Sequence, residues 1–176
     1  LVLAVYLGLA VTVFNNPEVR QKCAAVDVIV KDSDVAGFIT PLEIRTILKD
    51  SKLYPVGQKM SNINCAEIEK VLARNPFIDN ITSYKTAGDH VYVTVTQRLP
   101  VMRIISDNGD NYYIDTRGKV MPHMHYSADL VVATGHISKQ YAHSKLLPIG
   151  RLLKYDKFWD NQIEQINVDL SLIHIS

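Results

Sequence analysis

The sequence predicts an α+β protein: two small folded units behind an apolar N-terminal segment. Three observations carry this. Leu1 to Pro17 contain no charged residue, and the first charge is Glu18. Between positions 23 and 98 the apolar pattern runs from period two, through two helical stripes, back to period two. After Pro100, short β-branched runs alternate with turn-forming residues.

Composition narrows the function. A chain of 176 residues suits one ordinary domain or two small ones. With 47% hydrophobic residues it is a globular chain. The 19 Lys and Arg against 18 Asp and Glu, with no basic run, argue against a dedicated nucleic-acid binder. Two Cys exclude a disulfide scaffold and a four-Cys zinc site.

Leu1 to Phe14 reads as a helix. At about 1.5 Å per residue it covers roughly 21 Å, short of the ~30 Å hydrocarbon core. Residues 1–16 are therefore expected to be the outer part of a truncated transmembrane helix, with Tyr6 and Phe14 as interfacial anchors. A signal-peptide core should lead to a small-x-small cleavage site, whereas Asn15-Asn16-Pro17 follows. A buried helix is the remaining alternative.

In the first unit, residues 23–98, Val26, Val28 and Val30 alternate along a strand. Thr40, Pro41 and Glu43 supply an N-cap, a first-turn proline and a capping box. Ile44, Ile47 and Leu48 form the stripe of that helix. Asn64 caps a second helix with stripe Ile68, Val71 and Leu72, which Asn75-Pro76 ends. Ile78–Lys85 and His90–Gln97 are strands joined by a turn at Thr86-Ala87-Gly88-Asp89. Both helices are expected on one side of a three-stranded sheet, with the third strand central and Ile78–Lys85 at the rim.

In the second unit, Val101–Ser106 and Tyr112–Thr116 flank a turn at Asp107-Asn108-Gly109-Asp110-Asn111. A turn at Arg117-Gly118 precedes Lys119-Val120-Met121. Leu130–Thr134 reads as a buried strand. Leu146–Leu153 and Phe158–Ile166 read as helices, the latter with Trp159, Ile163 and Ile166 on one stripe, and Val168 opens a further strand.

Several patterns imitate sites. Met121-Pro122-His123-Met124-His125 offers soft ligands that suit copper, but no Cys or carboxylate cluster follows, and a solvated loop is the simpler reading. Asp107–Asn111 lacks the Glu that closes a calcium loop. Gly118-Lys119 lacks the rest of a P-loop, and no Gly-x-Ser-x-Gly elbow occurs. Cys23 and Cys65 are expected to be free, separated thiols. A periplasmic hydrolase is therefore disfavoured.

The chain resembles the FtsQ/DivIB family of bacterial division proteins, in the form found in Bacteroidetes-type bacteria. The matching stretches are Phe38-Ile39-Thr40, Pro55-Val56-Gly57, Ile63-Asn64, Ile68-Glu69 and Asn75-Pro76-Phe77-Ile78. They continue with Lys85-Thr86, Gln97-Arg98-Leu99-Pro100, Tyr113-Ile114-Asp115-Thr116-Arg117-Gly118, Met121-Pro122 and Phe158-Trp159. The resemblance implies a polypeptide-transport-associated (POTRA) domain at 23–98 and an incomplete FtsQ-type β domain at 99–169. Residues 170–176 match nothing in it and suggest a gene-fragment end.

The resemblance also implies a type II, single-pass inner-membrane protein with its bulk in the periplasm, enriched at the septum. Its expected role is a divisome scaffold, binding proteins of the FtsB and FtsL type. No catalytic residue, cofactor, metal, nucleic acid or small-molecule substrate is expected. Strand addition at a sheet edge is the expected mode, with Thr82, Ser83, Tyr84 and Lys85 as candidate partner-binding residues. The alternative is a POTRA-containing component of outer-membrane protein assembly or secretion. That class leads into a barrel of alternating strands, which 99–169 do not show.

Overall fold

The computed structural model describes Tyr6 and residues 21–123, 130–169 and 173–175. Two units emerge, and they are not one cut along the chain. The first joins its described residues up to Ser33 with Ile39–Thr96. The second joins Asp34–Phe38 with the described residues from Gln97 onward. The expected span at 1–16 lies, apart from Tyr6, outside the described residues. Among the described residues no helix is long and apolar enough to cross a membrane.

The first unit contains β1 (Ala25–Lys31), α1 (Pro41–Asp50), α2 (Cys65–Leu72), β2 (Ile78–Lys85) and β3 (His90–Gln97). The sheet order is β1-β3-β2, so the third strand is central and β2 lies at the rim. β1 runs parallel to β3, pairing Val26 with Val91, Val28 with Val93 and Val30 with Val95. The three β3 valines are fully buried. Ile44 and Leu48 of α1 join Ile68 and Leu72 of α2 in the same core. Both helices therefore cover one face of the sheet, as paired apolar surfaces require.

Local chemistry sets the ends of these elements. The Glu43 N–H donates to Thr40 Oγ1, and the Thr40 N–H donates to Glu43 Oε2 at 2.7 Å, which completes a capping box. The Glu67 N–H donates to Asn64 Oδ1 at 3.3 Å at the start of α2. In the β2–β3 turn it is Asp89, not Gly88, that takes a positive φ of 64°.

The second unit contains β4 (Pro100–Ser106), β5 (Asn111–Asp115), β6 (Val120–Pro122), β7 (Val132–Gly135), β8 (Gln165–Val168) and β9 (Ile173–Ile175). They form one mixed sheet in the order β6-β5-β4-β7-β8-β9. β4, β7 and β8 are parallel neighbours; the remaining pairs are antiparallel. Between β7 and β8 the chain forms a helical turn (Lys139–Tyr141), a π-turn (Ala142–Leu146), α3 (Leu147–Tyr155) and a short α4 (Lys157–Asp160). Leu146, Leu147 and Leu153 pack with Met102, Ile104, Ala133 and Ile166 in one core. Gly135 has φ +103°, and an added Cβ there would collide with the Val168 carbonyl, so the β7–β8 pairing depends on glycine.

Three expectations are corrected here. The helix expected over Phe158–Ile166 stops at Asp160, and Gln165–Val168 is a strand. Trp159, Ile163 and Ile166 imitate a helical stripe. Ile166 and Val168, however, are buried at period two, and Ile166 pairs with Ala133. Val168 thus ends a strand rather than opening one. The helical segment also starts at Lys139, earlier than expected. Pro148 has no N–H to donate and its ring crowds the preceding turn, so the hydrogen-bond register widens ahead of it. Finally, Met121 and Pro122 are not loop residues: they pair with Tyr113 and Tyr112 in β6.

Candidate functional site

β2 exposes one edge of the first sheet, and side-chain alternation divides the four candidate residues between two faces. Thr82 and Tyr84 point away from the helices, and both are exposed. The Tyr84 ring stacks on Tyr92 of β3, with centroids 5.4 Å apart and planes 9° from parallel. Tyr92 neighbours His90, whose Nδ1 lies 2.9 Å from Asp27 Oδ2. This pair is about two-fifths exposed on both sides, so it contributes little to stability.

Ser83 and Lys85 are engaged on the helix side. Ser83 Oγ donates to the Cys65 carbonyl at 3.0 Å, and Lys85 Nζ donates to the Met60 carbonyl at 2.6 Å. The main-chain N–H of Ser83 donates to Glu69 Oε1 at 2.6 Å. A carboxylate from α2 thus occupies a rim donor that an added strand would use. Edge strands left open invite unwanted pairing, and a charged plug suppresses it. Glu69 went unnoticed as part of the edge at the sequence level. Its only signal was membership of the Ile68-Glu69 stretch.

In the second unit, separate sequence stretches converge on one buried polar centre. Arg98 Nη1 donates to Asp115 Oδ2 at 2.7 Å, and both side chains are about nineteen-twentieths buried. The other oxygen, Asp115 Oδ1, accepts the N–H groups of Arg117 and Lys119 at 2.8 and 2.7 Å. The tight turn at Gly118, with φ +78°, is folded around that carboxylate. Gln97 reaches the Asp34–Phe38 segment: its Oε1 accepts the Phe38 N–H at 2.9 Å and its Nε2 donates to the Ala36 carbonyl. The Phe38 ring meets Tyr113 edge-on at 6.0 Å. These contacts hold the second unit's own fold together.

Among the described residues no group of three His, Cys, Asp or Glu is placed to hold a metal. Of the Met121–His125 stretch, Met121 is buried and the His123 ring stacks on Tyr113, while Met124 and His125 lie outside the described residues. Cys23 and Cys65 are both free. Burial pushes the Cys23 thiol pKa up, reinforced by Asp89 and Asp27.

Comparison with known families gives these features a context. The family model described as a POTRA-like domain matches residues 21–96. The one described as FtsQ/DivIB, C-terminal related, matches residues 99–172. No curated protein matches the chain. A POTRA-like domain followed by an FtsQ/DivIB-related one is the domain order of a cell division protein. The chain belongs to the FtsQ/DivIB family, a non-enzymatic family of cell division proteins.

Proposed function

We propose that this chain is a membrane-anchored scaffold of the divisome, working by binding and without catalysis. The order of its two domains carries the reading: a POTRA-like domain leads directly into an FtsQ/DivIB-related one. In this reading the uncharged run Leu1–Phe14 belongs to a single type II span of the inner membrane. The folded units then lie in the periplasm and concentrate at the septum. Their partners are division proteins of the FtsB and FtsL type, docked at sheet rims through main-chain hydrogen bonds.

The rim position of β2 and the outward-facing Thr82 and Tyr84 support a docking role for that strand. Pairing over Ser83 requires Glu69 to let go of its N–H. If Ser83→Pro leaves binding to every division partner unchanged, β2 is not a docking edge.

Depletion of the protein should give filamentous cells, and a tagged copy should collect at the septum. Fractionation separates this reading from the alternative: recovery in the inner membrane supports the division role, and recovery in the outer membrane would support an assembly or secretion component instead.

A further inference from the structure

The second unit carries an aromatic and basic surface that neither sheet rim uses. Leu152 is 60% exposed, Tyr155 75%, Phe158 64% and Trp159 43%. The Phe158 and Trp159 rings meet edge-on at 5.1 Å. Soluble proteins seldom leave four large apolar side chains so close together in water. Leu152 and Tyr155 lie three residues apart at the end of α3, and Phe158 and Trp159 follow on α4, past the extended Asp156.

The helical segment leading into this patch carries charge of one sign. The helical segment 139–155 contains Lys139, Lys145, Arg151 and Lys154 and no Asp or Glu. All four are exposed, and among the described residues none of them is in an ion pair. Arg151 Nε donates to the Thr116 carbonyl, which holds its stem in place. Asp156, which follows Tyr155, accepts the Phe158 N–H as the cap of α4. Exposed Trp, Tyr, Phe and Leu flanked by Lys and Arg are the composition of a surface that rests in a headgroup layer.

We infer that the face made by Arg151, Leu152, Lys154, Tyr155, Phe158 and Trp159 docks on an anionic bilayer surface. The aromatic rings enter the interface, and the two cations meet lipid phosphates. The inference rests on the membrane anchoring proposed above, which keeps the second unit near a bilayer. Charge complementarity favours this occupant over an apolar protein groove, which would leave the cations unanswered.

The test uses Trp159, the only tryptophan in the chain. The full chain is reconstituted into phosphatidylcholine and phosphatidylglycerol nanodiscs, with and without brominated lipid. Trp159 emission should shift to the blue, resist acrylamide and be quenched by bromolipid in the anionic discs alone. Raising salt to about 1 M, where the Debye length falls to roughly 3 Å, should reverse this. R151Q with K154Q should weaken docking roughly fivefold per charge removed. Phe158→Ser, at an exposed site, should weaken it with folding unchanged by circular dichroism.

Equal acrylamide access in both disc types overturns the inference. So does shielding of Trp159 that needs no anionic lipid, which would mean cover by protein. Failure of the chain to enter phosphatidylcholine discs at all would count against the anchor. The patch is then judged separately, from Trp159 emission with phosphatidylglycerol vesicles.

Discussion

Asp115 shows how much one buried side chain can fix. Its two oxygens take a guanidinium proton from Arg98 and two main-chain protons from the following turn. Asp115→Ala would remove the carboxylate that meets Arg98 at 2.7 Å, in a site where Arg98 is 4% exposed. Breaking a buried pair from one side costs about 3–5 kcal/mol. Urea denaturation of the variant should show a loss of that size, and a loss under about 1 kcal/mol would contradict the account. Cys23 gives a pH dependence. Its thiol pKa is raised in the folded protein by burial, which outweighs the main-chain hydrogen bonds at Ala25 and Val91 that lower it, with Asp89 and Asp27 adding to the rise. The unfolded chain releases that proton at about 8.5, the folded one only at higher pH. Above about pH 8.5 the unfolded state binds fewer protons, so stability falls as pH rises towards the folded value. Cys23→Ala should make the fall above about pH 8.5 shallower in denaturation midpoints. Cys23 should also react with thiol reagents more slowly than the half-buried Cys65.

At the scale of elements, the period of the apolar pattern decided most assignments. β3 was legible because Val91, Val93 and Val95 alternate with polar residues and all three are buried. α1 was legible because Thr40, Pro41 and Glu43 name its first turn. The stretch after Trp159 was not, because a helical stripe and a four-residue strand compete for the same isoleucines. Only pairing of β8 with β7 decides between them. The rim of β2 was legible from topology, but its plug was not. The Glu69–Ser83 bond joins residues 14 positions apart, and no local pattern announces it. Glu69→Ala should free that N–H with a modest loss of about 1–3 kcal/mol. It should also increase self-association or partner pairing at this edge, seen by sedimentation velocity. Unchanged association in Glu69→Ala would show that the carboxylate does not guard the edge.

For the whole chain, the second unit does not begin where the sequence suggests. Asp34–Phe38 groups with it, and Gln97 holds that segment through two hydrogen bonds. A fragment starting at Gln97 would lack the Ala36 carbonyl, the Phe38 N–H and the ring that packs on Tyr113. Such a fragment should melt at lower temperature than the same unit in the full chain. Supplying residues 34–38 within a longer fragment should restore it. Equal melting temperatures would show that the segment contributes nothing.

The sequence by itself determined the element types of the first unit, its caps and turns, and the family. Those depend on contacts between residues close in the chain and on motif order. Tertiary structure decided the strand order of the second sheet, where β8 lies, and that Arg98 meets Asp115. It also decided that Glu69 plugs the β2 rim and that Asp34–Phe38 belongs with the second unit. Each of these joins positions distant in sequence, where pairing and burial energies outweigh local preference.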